Sequence, residues 1–178
     1  MKAIIACDAE YGYAEKEDTN LLPWSKKTYP DHAVDIHRDM SRFVTLTNGQ
    51  IVVMGAATWE HMAKFNAVPL DNRVNVVLTN RPYDNVTDMD YVFDSFSIGN
   101  ELSIKRIHPH REMWCIGGWS TIRDMVAQSL VSEIHLTKFP FLTNCDRRIN
   151  MSVLDKEFKV KSKTTTQDGT VFSVYVRK

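Results

Sequence analysis

Three features of this sequence could do chemistry: a carboxylate on an apolar helical face, a glycine pair between a strand and a helix, and a tryptophan closing a long polar loop. Asp39 lies three residues after Ile36 and four before Phe43, on or beside the apolar face of its helix. A carboxylate there is costly unless something binds it. It reads either as a ligand-binding acid or as a border residue paired with Arg42 at i+3. Gly117-Gly118 follows an apolar run and precedes a helical pattern. Two glycines let backbone approach a ligand closely, and the helix N-terminus behind them attracts phosphate; the other reading is a tight strand-to-helix turn. Trp24 follows Pro23 and reads as core or as site wall. The three cysteines, Cys7, Cys115 and Cys145, are odd in number and widely spaced, which fits neither a disulfide framework nor a zinc pattern. Cys7 and Cys115 sit in apolar runs and read as buried small hydrophobes. His108-Pro109-His110 is the close histidine pair, with an incomplete ligand set, so no metal site is expected.

These residues need elements to hold them. Short apolar runs alternate with helical patterns, the signature of an α/β architecture. Buried strands are predicted over 3–7, 51–54, 74–79 and 113–116, with a further strand over 133–138 and a short one over 91–93. Between 10 and 25, Gly12, Asn20, Pro23 and many charges predict a long exposed loop, and such loops are often functional. Pro30 opens a helix reaching about Thr47, in which Ile36, Met40, Phe43 and Thr47 follow i, i+4, i+7, i+11 spacing as one face. Helices are predicted over 58–64, 98–107 and 120–128. Segments 158–165 and 170–176 flank Asp168-Gly169, a hairpin signal. The expected sheet is mostly parallel, with an antiparallel C-terminal hairpin and helices on both faces, in one domain over 1–178.

The bulk composition fits this reading. The chain has 178 residues, 43% hydrophobic and 25% charged, enough to bury a core without staples. Lys plus Arg and Asp plus Glu number 22 each, so nothing favours nucleic acid or an anionic membrane. Residues 1–8 are apolar for too short a run to act as a signal peptide or membrane span, and a cytoplasmic location is expected.

Read together, the fragments resemble dihydrofolate reductase along nearly the whole chain. The residues 3–7 resemble the family's first strand. Asn20-Leu21-Leu22-Pro23-Trp24 is similar to the end of its mobile active-site loop. Asp39-Met40-Ser41-Arg42-Phe43, with Thr47, resembles the helix bearing the acid and the pterin-stacking Phe. Val53-Met54-Gly55-Ala56-Ala57-Thr58-Trp59-Glu60 is similar to the Met-Gly-Arg-x-Thr-Trp-Glu segment. The run from Pro69 to Thr79 resembles Pro-Leu-Pro-x-Arg-x-Asn leading into a strand. Ile116-Gly117-Gly118 matches the Ile-Gly-Gly turn, and His135-Leu136-Thr137 the strand whose Thr bonds the acid. Departures are Ala56 for the Arg that holds the 2′-phosphate, Ile122 for a Tyr, Trp119 for a common Gly, and Ala14 near a usual Gly.

The resemblance implies NADPH-dependent reduction of dihydrofolate, with hydride to C6 and a proton to N5. It assigns Asp39 to the pteridine edge, Thr137 and Trp24 to orienting it, and Leu22 to gating. Ile5, Ala6, Phe43, Leu70 and Ile116 would wall the substrate, and Arg73 would clamp its glutamate carboxylate; Arg73 also reads as a turn-capping cation. The cofactor would meet Cys7, Asn20, Leu21, Gly55, Ala57, Thr58, Leu78, Thr79, Asn80, Arg81, Ile116, Gly117, Gly118, Trp119, Ser120 and Thr121. The expected partner is the small-molecule substrate alone, with the chain a monomer. Two other readings share the fold: a pyrimidine reductase of riboflavin synthesis, which would not need the Asp39-to-Phe43 frame or Arg73, and a folate-binding protein without turnover.

Overall fold

The computed structural model describes residues 1–15, 22–24, 27–81 and 88–178. In chain order the elements are β1 (Lys2–Cys7), β2 (Gly12–Ala14), a 3-10 turn (Pro30–His32) running into α1 (Ala33–Thr47), β3 (Ile51–Gly55), α2 (Ala56–Ala63), β4 (Val74–Leu78), β5 (Tyr91–Phe93) and α3 (Ile98–Ile107). They continue with β6 (Met113–Gly117), α4 (Trp119–Ala127), β7 (Glu133–Lys138), β8 (Arg147–Arg148), α5 (Met151–Glu157), β9 (Phe158–Thr165) and β10 (Val171–Arg177). The result is an α/β fold, parallel in its first strands and antiparallel in its last. By contacts the chain divides into two compact units, Met1–Ala3 with Thr47–Ser132, and Ile4–Leu46 with Glu133–Lys178.

In the first unit the strand order is β5-β4-β3-β6-β1, all parallel. Ile51, Val52, Val53 and Met54 of β3 are fully buried, as expected of a parallel strand covered on both faces. The β3–β4 register sets Ile51 against Val74 and Gly55 against Leu78, so both strands deliver their carboxyl ends at one level. A core of Val52, Met54, Trp59, Val77 and Met89 fixes that level, and Leu70 and Ile116 pack against it. Helix α3 begins with a reciprocal cap: Ser97 accepts from the Asn100 backbone, and the Asn100 side chain accepts from the Ser97 N–H.

In the second unit the order is β1-β7-β10-β9, with β10 antiparallel to both neighbours. Gly169, at φ +87°, turns the hairpin where Asp168-Gly169 predicted it. Strand β9 ends the order, with one partner strand among the described residues, and the register skips Lys161, a bulge between Val174 and Tyr175. A core of Trp24, Ile36 and Phe139 gathers Ala6, Leu22, Tyr29 and Phe141. Its rings pack closely, Trp24 to Phe139 at 5.0 Å and Phe139 to Phe141 at 5.1 Å.

Three expectations need correction. The segment predicted as one long loop contains β2, which pairs antiparallel with the unpredicted β8. The Asp8 carboxylate organises this corner, accepting from the Glu10 and Gly12 backbones through Oδ1 and from the Thr143 N–H and hydroxyl through Oδ2. Helix α5 was not predicted, although Asn150 caps it by accepting from the Ser152 N–H. In α1, Met40 is exposed; the inward face carries Asp35, Ile36 and Thr47, with Asp39, Arg42 and Phe43 half-buried. The helix alternates i+3 and i+4 steps, and the expected face took i+4 one step too early. No described helix is long and apolar enough to cross a membrane.

Candidate active site

Helix α1 and strand β7 build a carboxylate site within the second unit. Period-two alternation sets Glu133, His135 and Thr137 on one face of β7. Three acids of this unit are withdrawn from solvent. Asp8 is satisfied by four hydrogen bonds, which more than reverse the rise that burial alone imposes on its pKa. Asp35, fully buried, accepts from Arg38 Nη1 at 2.6 Å and from Thr166 Oγ1 at 2.6 Å. Asp39 differs: among the described residues it forms no ion pair, and burial pushes its carboxyl above the usual range, while Thr137 and Arg42 pull back part of the shift.

The Asp39–Arg42 ion pair, the alternative reading of this acid, is not formed among the described residues. Arg42 Nη2 instead meets His135 Nδ1 at 2.7 Å. Polar hydrogens of this unit are left over. Thr137 Oγ1, Trp24 Nε1 and Arg42 Nη1 are buried without a completed hydrogen bond among the described residues. Thr137 nonetheless lies close enough to Asp39 to favour its charged form. Buried donors of this kind are costly unless a ligand or water takes them.

The glycine turns form a separate candidate site, within the first unit. Gly55 caps α2 and Gly118 caps α4, and neither N-terminus has a side-chain cap, so their first N–H groups are open to an anion. Both helices leave the carboxyl ends of the paired parallel strands β3 and β6, where open α/β sheets bind ligands. The turns are mutually fitted: a Cβ on Gly55 would lie 2.6 Å from Thr121 Oγ1, and one on Gly117 would lie 4.0 Å from Thr58 Oγ1. Gly117 has φ +123°, a conformation that favours glycine. Beside them a cavity of about 210 Å³ is lined by Ala56, Ala57, Glu60, Leu78, Thr79, Asn80, Arg81 and Asp94. The Thr79 hydroxyl accepts from the Arg81 N–H at 3.2 Å and so shapes this corner.

The expected residues are placed as follows. Leu78, Thr79, Asn80, Arg81 and Ala57 line that cavity. Thr58 is third in α2, and Ser120 and Thr121 lie in the first turn of α4. Trp119 is buried, so the α4 N-terminus offers its backbone N–H rather than its ring. Ile116 and Leu70 pack on the first unit's core, Ala6 and Leu22 on the second's, and Ile5 is half-buried. Arg73 donates from Nε to Thr47 Oγ1 and from Nη1 to the Asp71 carbonyl, which fixes the guanidinium plane. Burial pushes the Cys7 and Cys115 thiols up to about 12, and both are free. Asn20 and Leu21 lie outside the described residues. Two features escaped sequence reasoning: the Asp35–Thr166 tie spans 131 positions, and Glu60 and Asp94 share a cavity with Arg81.

Comparison with known proteins agrees with this geometry. The chain is 30% identical over 154 residues to a bifunctional dihydrofolate reductase-thymidylate synthase of Paramecium tetraurelia, covering 84% of the chain and 29% of that protein. It is 33% identical over 121 residues to a dihydrofolate reductase of Mycobacterium leprae (strain TN), covering 67% and 68%. It is 27% identical over 164 residues to a putative dihydrofolate reductase of Caenorhabditis elegans, covering 87% and 78%. The chain thus spans less than a third of the length of its bifunctional relatives. The family profile described as dihydrofolate reductase matches residues 29–177. That match runs through the helix of Asp39, both glycine turns and the strand of Thr137, and the chain belongs to the dihydrofolate reductase family.

Proposed function

We propose that this chain reduces 7,8-dihydrofolate to tetrahydrofolate with NADPH, as a cytoplasmic monomer. The observation that carries the reading is the contrast among the three withdrawn acids: Asp8 and Asp35 are each tied down by several bonds from the fold, whereas Asp39 forms no ion pair among the described residues and burial raises its carboxyl, with Thr137 and Arg42 only partly offsetting it. A carboxylate in that state suits the pteridine edge, where N3–H and the 2-amino group donate two parallel bonds. Its charge also favours positive charge on the pteridine and so protonation at N5. The Thr137 hydroxyl and the Trp24 N–H, buried without a partner among the described residues, would hold the carboxylate and a water beside it. No acid other than Asp39 is assigned to the proton, which reaches N5 through water.

The open N-termini of α2 and α4 and the glycine turns, with no room for a Cβ at Gly55, suit a dinucleotide's phosphates. Gly117, Gly118, Ser120 and Thr121 would hold them on one side and Thr58 on the other. NADPH, when bound, supplies the hydride. Arg81, with Thr79 and Asn80, takes the role left by Ala56 at the 2′-phosphate. Glu60 and Asp94 in the same cavity oppose that charge, so the preference over NADH is weaker than a second cation would give. Arg73 clamps the substrate's glutamate carboxylate, and Leu22 shields the reacting carbon from water. Three buried free thiols suit a reducing compartment.

The test is loss of NADPH absorbance in purified protein on adding dihydrofolate. Oxidation that depends on dihydrofolate supports the reading; folded protein showing none at neutral or mildly acidic pH removes it.

A further inference from the structure

The side chain one turn beyond Asp39 is held at one end by a histidine of β7. Arg42 follows Asp39 at i+3, so the two share a helical face. Its Nη2 lies 2.7 Å from His135 Nδ1. A guanidinium has no lone pair to offer, so His135 Nδ1 must accept, and the ring proton must sit on Nε2. Nε2 then donates to Glu133 Oε1 at 2.6 Å. The other oxygen, Glu133 Oε2, receives Lys161 at 3.3 Å. Burial alone raises the pKa of Glu133, but the bonds from His135 and Lys161 bring it below the ordinary value, so the far end of the chain is anionic. Phe172, which pairs with Thr137 across β10 and β7, covers the guanidinium at 5.7 Å.

We propose that Arg42, clamped through His135 and Glu133, is a positioning residue that keeps Asp39 ionised in the site. The inference rests on Asp39 being the pteridine-binding acid. Its logic is one of placement. A direct Arg42–Asp39 salt bridge would neutralise the carboxylate and occupy the oxygens that substrate needs. A cation held nearby by a third group gives the Coulombic help without taking those oxygens. His135 does the holding, in one fixed tautomer, because Glu133 takes its other nitrogen. The charged and titratable groups that face this cluster are Asp39 and Arg42 on α1, Glu133 and His135 on β7, Lys161 on β9, and Cys7 on β1. Cys7 feels Asp39 but stays a thiol, its pKa raised to about 12.

The experiment follows the Asp39 carboxyl directly, by carbon-13 carboxylate NMR across pH on the ligand-free protein, with Asp39→Asn identifying the resonance. Arg42→Met should move the Asp39 titration up by about one unit, the lower end of what an adjacent opposite charge supplies. His135→Leu should move it in the same direction by less, because Arg42 is kept but not held. His135→Gln, which can accept from Arg42 and donate to Glu133, should return it to the wild-type midpoint. Dihydrofolate turnover in Arg42→Met should show its pH profile shifted by the same amount. Arg42→Lys keeps a charge if Arg42→Met does not fold, and should titrate between Arg42→Met and wild type. An Asp39 midpoint that no substitution at Arg42 or His135 moves overturns the proposal. The substrate reading fails separately, if Asp39→Asn leaves turnover intact.

Discussion

Two aspartates one helical turn apart should fail in opposite ways when replaced. Asp35 is fully buried and bonded by Arg38 and Thr166, each at 2.6 Å. Arg38 is half exposed, so its share is discounted to about 0–1 kcal/mol. The bond from Thr166 to a buried carboxylate contributes about 1.5–3 kcal/mol. Asp35→Ala should therefore cost roughly 2–4 kcal/mol and lower Tm by roughly 4–16 °C, as expected for a chain of this size. Asp39 carries the opposite sign. Its folded carboxyl holds a proton more tightly than in the unfolded chain, because burial disfavours its charge. The stability it contributes is complete below the unfolded carboxylate range and is lost as pH rises through the raised folded value. At neutral pH, Asp39→Asn should thus raise Tm, and the gain should vanish near about pH 4. The same substitution should slow dihydrofolate reduction about 10²–10⁴-fold at neutral pH, the range for loss of a group governing proton transfer. Activity should partly return in acid, where substrate protonates in solution. Thermal unfolding at both pH values and steady-state NADPH oxidation measure the set. If Asp39→Asn destabilises as Asp35→Ala does and leaves turnover unchanged, the assignment of roles is wrong.

Two further outcomes follow from the same geometry. Arg73→Lys should raise the Michaelis constant for dihydrofolate about tenfold with little change in turnover, because Lys lacks the planar fork that Thr47 and the Asp71 carbonyl hold. A pteridine without the glutamate tail should be indifferent to it, and equal sensitivity would mark Arg73 as structural. Gly55→Ala should place a Cβ 2.6 Å from Thr121 Oγ1 and cost about 1–3 kcal/mol by thermal unfolding. Adding Thr121→Ala should restore Tm, and if it does not, crowding at that contact is not the cause.

Legibility in the sequence tracked how local each signal was. Strands β3, β4 and β6 stood out because parallel strands covered on both faces are continuous apolar runs. The helix of Asp39 and the glycine turns were visible as periodicity and punctuation, and the ordered motifs joined them. Strand β8 could not be seen, since Arg147–Arg148 are exposed charges whose only strand signal is pairing with β2. Nor could the fate of Asp39 be separated from that of Asp35: what distinguishes them is Thr166, far along the chain, and His135, which draws Arg42 away. Helix α5 carries a local signal in Asn150, whose side chain accepts from the Ser152 N–H, but its seven residues are too few to show a sustained helical period of apolar positions.

Strand β9 lies at the open edge of the second unit's strand order. Among the described residues it has one partner strand, seven of its eight residues are exposed, and Lys159, Lys161 and Lys163 stand at alternate positions with Lys161 in the bulge. An unpaired strand edge is a template for another chain's backbone, the first step towards aggregation. Like charges at every second residue, with a kink between them, make that template repel its own copy and mismatch its spacing. The lysine that steadies Glu133 thereby also guards the sheet's open edge while the chain is folding.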